Sequence, residues 1–332
     1  MTVQVGTRNR VGFSTAEVTF GTSPGVTGAK SWPFEGERPK VIPITIDDNG
    51  KLIGVYEKGR QSVVAGYRTE WSGTFAFGFD CLAYWLFRAL GTLNTSGMGP
   101  YDHVITNKQG QLDTFTMFWQ DANTTATKLE EFTGMVCKSL EIGGRAGGDM
   151  YIRPTLIGRG SHPETILAMP GQSTEAINPF NNITVVNLGG TITWATGAVA
   201  GGTSYVDQLE EWSLTITNDL VENRYGANSL YPKSFPRTGV NFATKGLIDW
   251  EENALAGNLA AVEAQTTKTM LIKAVNGTSS AILGLSNVFF KDPGVGGMRD
   301  VLKWAFDGEG KYDETAALAA KFFVTNGTAS YT

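Results

Sequence analysis

Side chains that change character at every second residue force an extended strand with one dry and one wet face. The clearest such run sets Thr69, Trp71, Gly73, Phe75 and Phe77 against Arg68, Glu70, Ser72, Thr74 and Ala76. Ile42, Ile44 and Ile46 alternate with Pro43 and Thr45, which predicts a strand over Val41 to Asp47. Further strands are expected at Asp113 to Gln120, Phe132 to Ile142 and Tyr151 to Ile157, and later at Trp212 to Ile216, Val240 to Ile248, Thr269 to Ala274, Ile282 to Phe290 and Val301 to Phe306. The 41 glycines scattered among Val, Ile, Thr and aromatic residues supply the turns between them. A mainly β fold follows.

Helical spacing is confined to short stretches. Leu82, Trp85, Leu86 and Ala89 predict a helix over Cys81 to Leu90, and Gly91 suits a left-handed cap. The Ala-rich segment Asp249 to Ala264 is the matching candidate later in the chain. Residues up to Pro39 read as an irregular arm with one strand, Ala16 to Phe20, and residues 48 to 67 as a long polar connection. Residues 159 to 180, with Pro163, Pro170 and Pro179, read as a linker.

Several chemistries fail on spacing. Asp47-Asp48-Asn49-Gly50 lacks the downstream glycine and acid of a calcium loop. Gly143-Gly144-Arg145-Ala146-Gly147-Gly148 lacks the Lys-Ser/Thr ending and the helix of a phosphate cradle, so a hairpin tip or bulge is expected. His103 and His162, the only histidines, stand in loop-like sequence without a second ligand nearby. No serine stands in a nucleophile elbow. The expectation is a chain with no catalytic residues, no metal and no cofactor. Cys81 and Cys137 lie in apolar segments and read as buried thiols of a cytosolic folding environment. The start Met1-Thr2-Val3-Gln4-Val5 shows no signal peptide, and no apolar stretch approaches the ~20 residues of a membrane span. With a net charge of −5, any meeting with nucleic acid is expected to be repulsive or merely guiding.

The order strand, long loop, strand, short helix, two strands, Gly-Gly tip, strand occurs twice. Ile44-Thr45-Ile46-Asp47-Asp48 matches Leu214-Thr215-Ile216-Thr217-Asn218, Gly147-Gly148 matches Gly296-Gly297, and Gly158 matches Gly308. Duplication explains this order better than chance, since loops absorb the changes in spacing. It divides the chain into a first domain with an N-terminal arm over 1–160, a linker over 161–178, and a second domain with a C-terminal tail over 179–332.

Three segments give the repeat a likeness. They are Gly73 to Gly91, a Gly-Thr-Phe strand leading through Asp80 into a helix ending Ala89-Leu90-Gly91; Phe132-Thr133-Gly134 through Leu140-Glu141-Ile142 to Leu156-Ile157-Gly158; and Glu211 to Asp219, a strand ended by Asn218. The chain resembles the tail tube proteins of long-tailed bacteriophages, in the form with two tandem tube domains, over roughly residues 40 to 310. The resemblance implies two β-sandwich domains, each with one flanking α-helix, whose strands join an oligomeric inner β-barrel. Three chains would make a pseudo-sixfold ring, and stacked rings would make a tube in the virion. It implies as partners the chain's own copies, tail terminator and tail-tip proteins, and, in the lumen without specific binding, a tape measure protein and phage DNA.

On that reading the wet strand faces line the lumen: Glu70, Ser72, Thr74, Ser139 and Glu141 in the first half, and Glu211, Ser213 and Thr215 in the second. Their short polar and acidic groups are expected to repel phosphates weakly. The loops 48 to 67 and 217 to 239, the arm, and the tail after Gly308 are expected to bridge rings rather than form cores. A tail-tip or hub ring with the same fold is the alternative. A carbohydrate-binding β-sandwich is more remote, because Trp71, Trp85 and Trp212 fall on apolar faces instead of exposed ones.

Overall fold

The computed structural model describes residues 9–47, 62–120, 128–160, 164–166, 169, 171–222, 224–227, 229–249, 266–298 and 301–331. The strands of the first half are β1 (Arg10–Ala16), β2 (Phe34–Gly36), β3 (Lys40–Asp47), β4 (Ser62–Ala76), β5 (Gly91–Ser96), β6 (Tyr101–Asn107), β7 (Phe115–Gln120), β8 (Lys128–Arg145) and β9 (Met150–Gly158), with helix α1 (Phe79–Leu90) between β4 and β5. There follow β10 (Glu164–Ile166), β11 (Ile183–Leu188), β12 (Thr191–Thr193), β13 (Ala198–Ala200), β14 (Thr203–Ser204), β15 (Leu209–Leu220), β16 (Arg237–Asp249), β17 (Lys268–Asn276), β18 (Ser279–Met298), β19 (Val301–Lys311) and β20 (Ala320–Asn326). The protein is mainly β, with one α-helix among the described residues and a large antiparallel sheet.

One run of pairings forms the spine. It goes β3–β4–β9–β8, crosses to β15, and continues β15–β16–β19–β18. The second set of four repeats the wiring of the first. The repeat extends to irregularities that no pairing rule demands. Buried Thr69 stands opposite Gly158 in one set, and buried Thr244 stands opposite Gly308 in the other. A Cβ at Gly158 would run into the Met135 side chain, and one at Gly308 into Val288, so a side chain at either would have to displace a buried neighbour. The long strands β8 and β18 each carry a bulge, between Cys137 and Ser139 and between Lys291 and Gly294. Each bulge lies where the partner strand is three residues short of its glycine.

This frame shifts two of the sequence matches. Val41 lies opposite Thr69 as Leu214 lies opposite Thr244, so Val41, not Ile44, is the equivalent of Leu214. Gly147 and Gly148 form the hairpin tip after β8, as expected, whereas Gly296 and Gly297 lie within β18, paired to Lys303 and Leu302. Cross-strand partners fix register, and short identical words do not.

Helix α1 starts two residues earlier than expected and ends on Gly91 at φ +89°, whose N–H reaches the Phe87 carbonyl. Every side chain but Asp80 is buried, so the helix is enclosed rather than flanking. Trp85 sits among Phe13, Phe75, Tyr84 and Phe115. The same core cluster contains Leu140, Ile216 and Phe322 and therefore draws on both halves. The second helix candidate lies outside the described residues except Asp249, which ends β16.

Both chain ends depart from expectation. The strand of the N-terminal region is Arg10–Ala16 rather than Ala16 to Phe20, because Val11 and Phe13 fill the space beside the helix. Buried Glu17 then pins the turn by accepting from Thr114, Thr116 and the Gly134 amide. The tail after Gly308 forms β20, which pairs with β18 and β6 and buries Phe322 and Val324. The hairpin β5–β6 hid behind the turn residues Ser96 to Pro100. His103 is in β6, not a loop; its Nδ1 is 2.9 Å from Thr95 Oγ1 and its Nε2 is 3.1 Å from Asn326 Oδ1. The loop after β15 also packs inward, with the Tyr67 amide donating to the Leu230 carbonyl. Both ends and this loop thus supply buried residues to the fold, among them Val11, Phe13, Phe235 and Phe322. Residues 48–61 and His162 lie outside the described residues.

The segment joining the halves caps the helix. Glu175 accepts from the Asp80 and Cys81 amides, where Gly78 offers no side chain. Burial, with Asp80 adding repulsion, pushes the Glu175 carboxyl up from 4.5 to about 7, against the pull of the amides. A raised acid costs the fold nothing below its unfolded pKa and costs more as pH climbs through the folded value. Wild type should therefore lose roughly 1–3 kcal/mol relative to Glu175→Gln between pH 4.5 and about 7. Thermal midpoints of both proteins at about pH 5 and about pH 8 check it, and parallel midpoints would refute it.

Candidate functional site

Directly opposed residues of an antiparallel pair point to one side, so the registers define a face. Ser72 opposes Thr155, Thr155 opposes Ser139, Ser139 opposes Thr217, and Thr217 opposes Asn241. The neighbouring row runs Arg153, Glu141, Thr215, Ala243, Glu309. The next runs Tyr151, Gly143, Ser213, Lys245, Asp307. Glu211 opposes Arg145 and Leu247. All eight residues singled out from the sequence thus share one face of the eight-strand run: Glu70, Ser72, Thr74, Ser139, Glu141, Glu211, Ser213 and Thr215. Their opposite neighbours Trp71, Phe75, Leu140, Ile142, Trp212, Leu214 and Ile216 are buried.

The face is not the acidic surface expected. Glu70 pairs with Arg68 at 2.7 Å, and Glu141 pairs with Arg153 at 3.2 Å. Asp307 pairs with Lys245 at 3.7 Å, Glu309 with Lys311 at 2.7 Å, and Asp249 with Lys303 at 4.0 Å. The Tyr151 hydroxyl donates to Glu141 at 2.7 Å. Burial and that carboxylate hold the Tyr151 phenol above its ordinary range, so it remains a donor. Arg153 Nε also reaches Thr74 Oγ1 at 3.2 Å. Weak repulsion of phosphate points only to acids and hydroxyls, yet the same face carries Arg68, Arg153, Lys245 and Lys303. The same period-two rule applied without regard to charge would have found them.

Two shallow grooves mark the face at equivalent places. One, of about 480 Å³, includes Lys40, Glu70, Ser72 and Thr155 in its lining. The other, of about 420 Å³, includes Ser213, Lys245, Leu247 and Ala305. In the frame of the Thr–Gly pairs these are the same positions of the two repeats. At one margin the face is covered, where Ile157 packs with Leu112, Val136 and Phe235.

The halves meet at the pairing of β8 with β15, from Glu211 opposite Arg145 to Thr217 opposite Ser139. Buried Asn218 fastens the junction. Its amide donates to the Ala89 carbonyl at the end of α1 and to the Cys137 carbonyl at the β8 bulge, at 2.9 and 3.0 Å. Arg237 Nη1 donates to its oxygen. Glu222, in the following loop, spans Arg68 and Lys138 of the first half at 2.8 and 2.7 Å.

Among the described residues no group of His, Cys, Asp and Glu could hold a metal ion, and no helix is long and apolar enough to cross a membrane. Both thiols are buried and pushed up by that burial. Trp71, Trp85 and Trp212 are buried and offer no platform for a sugar. No protein-family model and no curated protein matches the chain.

Asn218→Ala should strand two buried carbonyls and cost roughly 2–3 kcal/mol of stability. Urea unfolding of the variant measures this, and a loss under about 0.5 kcal/mol would remove Asn218 from the role.

Proposed function

We propose that the chain is a tail tube subunit of a long-tailed bacteriophage, of which three copies close a ring and stacked rings form a hollow tube that passes DNA. One observation carries the reading: the spine contains a finished junction between its repeats, and its two open ends match the two sides of that junction. β3 corresponds to β15 through the Thr-bearing strand beside it, and β18 corresponds to β8 through its bulge. Among the described residues, neither the outer edge of β3 nor that of β18 past Phe289 has a strand partner.

Such edges invite pairing with another copy, and closure into a ring removes them. Joining β18 to β3 of the next copy in the register of β8–β15 sets Gly296 opposite Ile42, as Glu141 stands opposite Thr215. Two repeats per chain make three chains equivalent to six units, in line with the resemblance of Gly73 to Gly91 and its companion segments to tube proteins. Twenty-four strands at ~4.8 Å spacing and ~40° tilt give a backbone diameter of roughly 48 Å, wider than a DNA duplex. The polar face would line that channel, with Glu70, Glu141, Asp307 and Glu309 each paired to a cation.

Opposed strand residues lie within disulfide reach. Oxidation of the double variant Ile42→Cys, Gly296→Cys should give covalent trimers, while either single variant gives none. Cys81 and Cys137 are buried and do not compete. Cross-linking absent under conditions where the protein oligomerises would defeat the junction. Negative-stain images should show striated tubes; single rings that never stack would favour a tail-tip or hub ring.

A further inference from the structure

We propose that four carboxylates of the polar face, Glu70, Glu141, Asp307 and Glu309, are built-in counterions that keep the arginines and lysines they hold from engaging nucleic-acid phosphates. The inference deepens the tube reading and rests on it for its biological setting. Its physical basis is local. Glu70, Glu141, Asp307 and Glu309 each hold a cation of the same face within 4 Å, by pairing along a strand or across one.

Stability is a poor reason for these pairs. The side chains of Arg153, Lys245 and Lys311 are about half exposed or more, and ion pairs of that kind add little to folding. Their effect is on what the face presents. A guanidinium bound to its own carboxylate has fewer donors free for a phosphate and adds little net charge at a Debye length of ~8 Å. The chain as a whole is acidic at −5, yet this face alternates both signs. Repulsion by free acids would slow the entry of a polyanion, and free cations would hold it by counterion release. A surface of paired charges does neither.

The arrangement also accounts for Tyr151 and Thr74. The Tyr151 hydroxyl and Arg153 bind opposite oxygens of Glu141, and Arg153 Nε is turned to Thr74. This holds the guanidinium along the sheet instead of out from it. Arg153 is therefore positioned by its partners, and removing the Glu141 carboxylate should release it, whereas Arg68 would stay held by Glu222 if Glu70 were removed.

The test uses the full chain and a short fluorescent DNA duplex read by anisotropy. Wild type should show no binding at about 50 mM salt, while Glu141→Gln with Asp307→Asn, which frees Arg153 and Lys245, should bind. With two cations freed, the new affinity should fall about tenfold between about 50 and 200 mM salt. Adding Arg153→Gln and Lys245→Gln should abolish it. Glu309→Gln, which frees Lys311, provides a second, independent arm, should the first variant fold poorly by circular dichroism. Binding by wild type equal to the variants', absence of binding in folded variants of both arms, or binding that survives loss of the freed cations would each overturn the proposal. Microscopy of the same samples separates this from the tube reading: rings without the gain of binding refute the counterions alone, and a gain of binding without rings refutes the tube alone.

Discussion

The pairing of β8 with β15 is the constraint on which the rest of the structure depends. Without it the chain would have two four-strand runs, each ending in an open edge. With it the runs become one sheet with one polar face and one buried face. Backbone pairing alone would permit a slip, and a slip by one residue would exchange the faces. Asn218 stands against that slip, because only one register brings its amide to both the Ala89 and Cys137 carbonyls. A single polar side chain thus ties strand, bulge and helix end together, in a setting where an unmet carbonyl is costly.

The repeat is visible in three dimensions mainly through its defects. Regular strands look alike in any antiparallel sheet, so shared order is weak testimony to common origin. A bulge at the same place in β8 and β18, and a buried threonine facing a glycine in both halves, are stronger. The repeated glycine has a packing cause: Met135 and Val288 stand in the space a side chain at Gly158 or Gly308 would need. The proposed ring extends the same logic, because the unpartnered ends resemble surfaces already joined inside the chain.

Enclosure of the helix explains why so much apparent loop sequence became structure. A helix buried on nearly every side needs cover, and the N-terminal strand, the β5–β6 hairpin and β20 all contribute to it. Arg88, buried among Tyr84, Phe87 and Phe115, donates to the Ser14 carbonyl and so ties α1 to β1. Glu175 reaches the other end of the same helix from the segment that joins the halves.

Sequence alone determined the local periods. Alternation in Thr69 to Phe77 and in Trp212 to Ile216 located strands and their dry faces, and helical spacing with Gly91 located α1, because these signals reside in neighbouring residues. It also singled out eight residues that do share a face. It misread Val11 and Phe13, His103 and Phe322, whose roles come from partners far away along the chain. Only the tertiary structure decided that the two halves form one sheet, that the helix is enclosed, and that Glu70, Glu141, Asp307 and Glu309 of the polar face are paired. Those outcomes depend on register and on contacts between distant segments, and no short window of sequence contains both members of such a contact.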